Sequence, residues 1–310
     1  MTSVLRLRLF GLVLLSLSPA FASAHSVCFL LSADIVSYYP VLDGVKQAFA
    51  DAEPGEYSLN SEILNESKGV GENCIASDLV VTIGTIATQY LLEHPNKTPL
   101  VSVYVTKSWM DIILKAYPDA RILGAVYLDQ PPARLMRLSR AIVGEQARVA
   151  TLVGNVSATM LDGLQQSASD LGMALRSGRF DPDENPVRQL QQVMEGSDLY
   201  LVLPDTAEIN RNTAKWIIYL SYKYRIPVIG FSPRYSEAGA LLSIYSLPNS
   251  LGRQVGQMAK SYFLNNDGGS LGFQYPKDFS IQVNDYVQRA LGIRPIDQDS
   301  LHDRLQAAED

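Results

Sequence analysis

The 310 residues are 47% hydrophobic and 19% charged, with 21 Gly, 16 Pro and a formal net charge of −6. Such a chain is neither disordered nor collagen-like, and its length suits two domains. No block of Lys or Arg interrupts the acidic balance, which argues against a nucleic-acid partner. Two cysteines and three histidines exclude a multi-Cys zinc site and leave little for a multi-His centre, so no metal is expected.

Residues 1–24 read as a secretory signal peptide. Arg6 and Arg8 precede an uncharged apolar run from Leu9 to Leu17; Pro19 breaks it, and Ala22-Ser23-Ala24 offers small residues for cleavage. The run is too short to span a bilayer. Cleavage is expected after Ala24, or after Ala22 as a near variant. No later stretch reaches the ~18 apolar residues of a membrane span. The expected product is a soluble periplasmic protein in an oxidising compartment.

Continuous apolar runs at 26–32, 79–83, 99–105 and 122–128 predict strands buried on both faces, hence a parallel sheet. Helical periodicity falls between them, at 41–52 and 86–92. The pattern then repeats, with strands at 148–153, 199–203 and 226–231 and helices at 157–171, 186–195 and 207–224. The stretch from Asp78 to Thr85 matches that from Asp198 to Thr206, and each is followed by a helix and a strand opened by proline (Pro99, Pro227). The predicted class is α/β, two doubly wound lobes, with the first crossing between them led by Pro131-Pro132.

In doubly wound sheets ligands bind beyond the carboxyl ends of the strands. That rule selects Ser32, Gly84, Thr85 and Tyr104 in the first lobe, and Asn155, Asp205, Thr206 and Phe231 in the second. At Gly84-Thr85 a helix starts directly after a strand. Thr85 can cap that helix, and the free amides beyond it can hold a carboxylate; the alternative is an ordinary capping threonine with no ligand. Asp205 can accept a ligand ammonium or hydroxyl, or cap the helix from Ala207, and with two oxygens it can do both. Sixteen tyrosines are present, and Tyr38, Tyr39, Tyr104, Trp109, Phe231, Tyr235 and Tyr245 lie near strand ends. Aromatic walls suit a ring-bearing or apolar ligand, although most such residues are ordinary packing.

Cys28 and Cys74 fall near one edge of neighbouring strands, either as a disulfide or as two separate thiols. Signals for an enzyme are poor. None of His25, His94 and His302 belongs to a nucleophile constellation, and no GxSxG, HExxH or P-loop occurs. The Lys68-Gly-Val-Gly loop precedes a strand and fails as a dinucleotide fingerprint, so no cofactor is expected.

Three stretches carry a family resemblance: Gly124-Ala-Val-Tyr through Ala147-Arg-Val-Ala-Thr-Leu-Val-Gly-Asn; Asp198-Leu-Tyr-Leu-Val-Leu-Pro-Asp; and Phe231-Ser-Pro-Arg-Tyr-Ser-Glu-Ala-Gly-Ala-Leu, continuing through Leu251-Gly-Arg-Gln-Val-Gly. Together they resemble bacterial ABC transporter substrate-binding proteins of the type I periplasmic fold, in the tryptophan/tyrosine-type branch. The resemblance spans most of 120–292 and is thinner over 25–119. It implies lobe one at 25–128 plus 247–275, lobe two at 129–246 plus 276–310, and a ligand held between closing lobes. It implies that Thr85 meets a ligand carboxylate and matches Glu237 to the recurrent Glu-Ala-Gly stretch. At Tyr104-Val-Thr-Lys the chain departs from the more usual aspartate-proline turn. The expected function is monomeric binding of a small amino-acid-like or aromatic carboxylate for a membrane permease. The alternative is a sensor subunit that docks on a membrane receptor or signalling enzyme.

Overall fold

The structure is a computed structural model that describes residues 24–309 except 66, 95–97, 206–210 and 266–268. The expected signal segment, apart from Ala24, and Thr206 lie outside the described residues.

The first sheet is built from β1 (His25–Leu31), β2 (Tyr57–Ile63), β3 (Leu79–Ile83), β4 (Leu100–Val105) and β5 (Ile122–Tyr127). Helices α1 (Tyr39–Ala48), α2 (Glu72–Ile75), α3 (Thr85–Glu93) and α4 (Lys107–Ala116) connect them. The chain then crosses to α5 (Pro132–Val143), β6 (Arg148–Val153), a 3₁₀ turn (Ser157–Met160), α6 (Leu161–Asp170), β7 (Ala174–Arg179) and α7 (Pro186–Met194). After these come β8 (Leu199–Leu201), α8 (Arg211–Tyr224), β9 (Val228–Gly230), α9 (Pro233–Ala238) and β10 (Leu242–Tyr245). It returns through α10 (Pro248–Asn265) and β11 (Gly272–Gln274), and ends in β12 (Ser280–Val283), α11 (Asp285–Leu291) and α12 (Gln298–Gln306).

The two sheets share one topology. Their orders are β11-β5-β4-β3-β1-β2 and β12-β10-β9-β8-β6-β7. Strands β1–β5 and β11 pair in parallel, as do β6–β10, whereas β12 is antiparallel to β10. Each sheet has an apolar core on both faces. All five β3 residues are buried, as a parallel strand covered on both sides requires. The matched aspartates do the same structural job. Asp78 Oδ2 accepts from the Ser26 amide at 2.8 Å and Asp198 Oδ2 from the Arg148 amide at 2.8 Å, each pinning the start of the neighbouring strand.

Because the sixth strand of each sheet comes from the returning chain, three segments join the lobes: 128–131, 245–248 and 275–279. The apolar runs of the sequence appear as strands, but β10 and β11 lie outside every predicted run, and so do β2 and β7. Both are outer-edge strands with largely exposed, polar residues (YSLNSEI and ALRSGR), so they lack the apolar signature. Helices α2, α4, α9 and α12 also lie outside the predicted helices. Cys28 and Cys74 form a disulfide, with Cα atoms 5.1 Å apart, inside the core beneath α2 and α3.

Helix α10 closes lobe one against α1, and glycine makes this contact possible. A Cβ at Gly252 would sit 2.1 Å from the Val41 carbonyl oxygen, and one at Gly44 would sit 2.1 Å from that of Asn249. Backbone thus packs on backbone, with no side chain able to yield. Gly252→Ala is expected to lower the thermal midpoint. Helix propensity alone gains about 1 kcal/mol, but forcing the helices apart costs ~2 kcal/mol or more, as overpacking does. A raised midpoint would show that the helices can separate freely.

Candidate functional site

Both sheets present the carboxyl ends of their parallel strands to one cleft of about 640 Å³. Lobe one contributes Thr85, Tyr104, Thr106 and Trp109. Lobe two contributes Val156, Met160, Phe231 and Ser232. The crossings supply Leu128, Asp129, Gln130, Tyr245 and Ser246 as its floor. Across one side of the interlobe gap the hydroxyls of Ser108 in α4 and Thr159 in the 3₁₀ turn meet at 2.5 Å.

The start of α3 is fixed from below. Thr82, Thr88 and Ser102 form a fully buried hydroxyl cluster, and Thr88 also donates to the Gly84 carbonyl at 3.0 Å. Gly84 is the N-cap, with φ of +94°, and a Cβ there would fall 2.5 Å from the Tyr38 hydroxyl and 2.7 Å from Ser32 Oγ. Only glycine fits the turn. Thr85, expected as a possible cap, is the first helical residue. The cap is Ser32, whose Oγ accepts from the Ala87 amide at 2.9 Å. The amides of Thr85 and Ile86 have no acceptor among the described residues, and Thr85 lines the cleft.

Tyr104 sits at a β-bulge near the end of β4, where the register shifts between Val103 and Val105. Its φ is +63°, a left-handed conformation costly for a tyrosine and concentrated at functional sites. The bulge lies at the departure from the aspartate-proline turn, and the ring lines the cleft. Tyr38 stands behind it, its ring edge-on to Tyr104 at 5.6 Å.

Of the sequence-selected residues, Thr85, Tyr104 and Phe231 line the cleft, as do the aromatic residues Trp109 and Tyr245. Ser32, Tyr38 and Gly84 support its wall. Asp205 is not brought there: it is buried, and its Oδ2 accepts from both the amide and the hydroxyl of Ser157 at 2.8 Å. Asn155 is exposed, its Oδ1 accepting from Arg179 Nη2 at 2.7 Å. Glu237 is exposed on α9, which Gly239 ends in the left-handed conformation, so the Glu-Ala-Gly stretch shapes a helix end. Tyr235 is packed in the lobe-two core, and the Tyr39 hydroxyl is turned to Asp34.

Asp129 is not among the residues selected from the sequence, which marks this stretch as a crossing, yet it stands two residues beyond the end of β5, within reach of the strand-end rule. Among the described lining residues it alone carries a charged side chain. No described group of three or more His, Cys, Asp or Glu residues is arranged to hold a metal.

No protein-family model matches the chain, and no curated protein matches it. Solved structures do resemble it. One is a substrate-binding protein with adhesive properties from Clostridium difficile, in its ligand-free, open form. It has a TM-score of 0.67 at 14% identity, over 89% of this chain and 97% of that one. Another is an ABC domain in complex with L-Trp from Streptococcus pneumonia, with a TM-score of 0.59 at 16% identity, over 90% of this chain and 98% of that one. A conserved domain protein from Vibrio cholerae scores 0.59 at 18% identity, over 91% and 98% of the two chains. The fold is that of type I periplasmic substrate-binding proteins, as the sequence resemblance implied.

Asp129 is 4% exposed. Its Oδ2 accepts from the Lys107 amide at the start of α4 at 2.5 Å. Burial nevertheless dominates and raises its pKa to about 6, against the lowering effect of that bond and of the Lys107 charge, with Asp111 adding to the rise. The native state therefore holds this proton where the unfolded chain, with a pKa near 3.8, has released it. Asp129 costs stability as pH rises from about 4 to 6, and the cost is complete above that range. Asp129→Asn is expected to flatten this part of the stability profile, gaining on the wild type as pH rises. Parallel profiles from urea unfolding at pH 4 to 7 would refute the assignment.

Proposed function

We propose that this chain is the secreted solute-binding component of an ABC-type uptake system. It takes a small amino-acid-like or aromatic carboxylate between its lobes and presents the closed form to a membrane permease. The observation that carries the reading is the cleft itself: aromatic walls from both lobes, one carboxylate, and a helix N-terminus with open amides. Its volume lies in the range of small-molecule sites. The L-Trp complex of the Streptococcus pneumonia relative supports a ligand of this kind.

The polar groups suit a zwitterion. An ammonium pairs with the carboxylate of ionised Asp129. A carboxylate takes the Thr85 and Ile86 amides, where the dipole of α3 favours negative charge. A ring packs among Tyr104, Trp109, Phe231 and Tyr245. Ligand contacts both walls only when the lobes approach, so binding shifts the population toward the closed form. The role is binding without turnover.

Thermal unfolding of the purified protein, shown to be ligand-free by native mass spectrometry, tests this. The probes are L-tryptophan, L-tyrosine, tryptamine, indole-3-propionate, D-ribose and myo-inositol. The zwitterions are expected to give saturable shifts, equivalent to about 2.7 kcal/mol at a hundredfold excess over Kd. The amine and the acid, each lacking one anchor, are expected to bind at least tenfold more weakly. Shifts with the sugars alone would overturn the ligand class, and none across the panel would overturn amino-acid binding.

A further inference from the structure

Arg134, in the first turn of α5, is 1% exposed and does not line the cleft. Each nitrogen of its guanidinium donates at least one hydrogen bond. Nη1 donates to Gln130 Oε1 at 2.7 Å, Nη2 to the Pro276 carbonyl at 3.0 Å, and Nε to Glu309 Oε1 at 2.7 Å. Nη2 also pairs with Glu309 Oε2, and the guanidinium carbon lies 4.2 Å from the centre of the Phe279 ring. The network continues from Gln130. Its Nε2 donates to Ser246 Oγ at 3.0 Å, and that hydroxyl donates to the Asp278 carbonyl at 2.7 Å.

These partners have one thing in common. Gln130 belongs to the first crossing, Ser246 to the second, and Pro276 and Asp278 to the third. One buried cation thus bonds two of the segments that join the lobes and, through Gln130, links to the third, with Glu309, beyond α12, as its counter-charge. Lobe rotation is absorbed by dihedral changes in a few such residues. The planar guanidinium fixes the directions of its hydrogen bonds, which an ammonium cannot do.

We propose that Arg134 is the hinge clamp of this protein, a positioning residue that sets the resting angle between the lobes. Its influence reaches the cleft through Gln130 and Ser246, which form part of the floor. Arg134 bonds the first and third crossings directly and reaches the second through Gln130. The proposal goes beyond the binding reading and does not require a ligand.

The test places spin labels at Gln47→Cys in α1 and Gln165→Cys in α6, exposed positions in different lobes. Cys28 and Cys74 are bonded to each other and do not compete for label. Interlobe distances are measured by pulsed electron resonance without ligand, in the wild type, Arg134→Met and Arg134→Lys. Circular dichroism and thermal unfolding establish which variants fold. Both substitutions are expected to broaden the distance distribution and shift its centre. Met removes every polar tie, whereas Lys keeps the charge but cannot span the three acceptors. If the Met variant does not fold, the Lys variant carries the test. A wild-type distribution in either folded variant overturns the proposal. Loss of folding in both also overturns it, by assigning Arg134 to the fold rather than to the hinge. Because the readout needs no ligand, failure of the ligand panel leaves this result standing.

Discussion

Three polypeptide segments join the two lobes, and the geometry of the cleft depends on their lying side by side. This follows from the topology, since each sheet takes its sixth strand from the returning chain. The crossings therefore run beneath the carboxyl edges of both sheets and become the floor of the cleft. Asp129, Gln130 and Ser246 are crossing residues and lining residues at once. In this fold the site and the hinge share residues, so charge in one cannot be arranged independently of motion in the other.

The electrostatics of the cleft are set by scarcity. Among the described lining residues there is no Lys, Arg or His to hold an anion, and Asp129 is the single carboxylate. Two devices raise and lower its charge. Burial favours the protonated form, while the first amide of α4 and the nearby Lys107 favour the carboxylate. The start of α3 is balanced differently. Ser32 already satisfies the third helical amide, leaving the first two without an acceptor among the described residues, and Thr85 lines the cleft. One polar anchor is a partly neutralised acid, and the other is a pair of backbone donors that never titrate.

The parts legible in the sequence are those under the strongest physical constraint. A strand buried on both faces is usually continuously apolar, so β1, β3, β4, β5, β6, β8 and β9 stand out, whereas the buried β10, interrupted by Ser243, does not. Edge strands carry no such requirement, which is why Tyr57–Ile63 and Ala174–Arg179 passed unread. The strand-end rule selects Thr85, Tyr104 and Phe231, which line the cleft. It failed at Asp205 because position along the chain does not fix side-chain direction: the carboxylate turns inward to Ser157. The Ser32 cap was hidden because it reaches α3 from another strand, 55 residues away. Arg134 gave no signal, since a lone arginine in a helix reads as an exposed charge.

The lobes repeat one topology, yet the repeat is broken where they face each other. At the end of β1, Ser32 caps a helix whose outer amides remain open to the cleft. At the matching end of β6, the amide and hydroxyl of Ser157 are both consumed by buried Asp205. Lobe one and its crossing thus hold the polar anchors, Thr85 and Asp129. The lobe-two wall is mainly apolar, with Val156, Met160 and Phe231. In the proposed binding cycle this asymmetry assigns an order. The zwitterionic end of a ligand docks first on lobe one, where its charges are met. Lobe two then closes as an apolar cover, and the removal of water under that cover strengthens the electrostatic contacts already made.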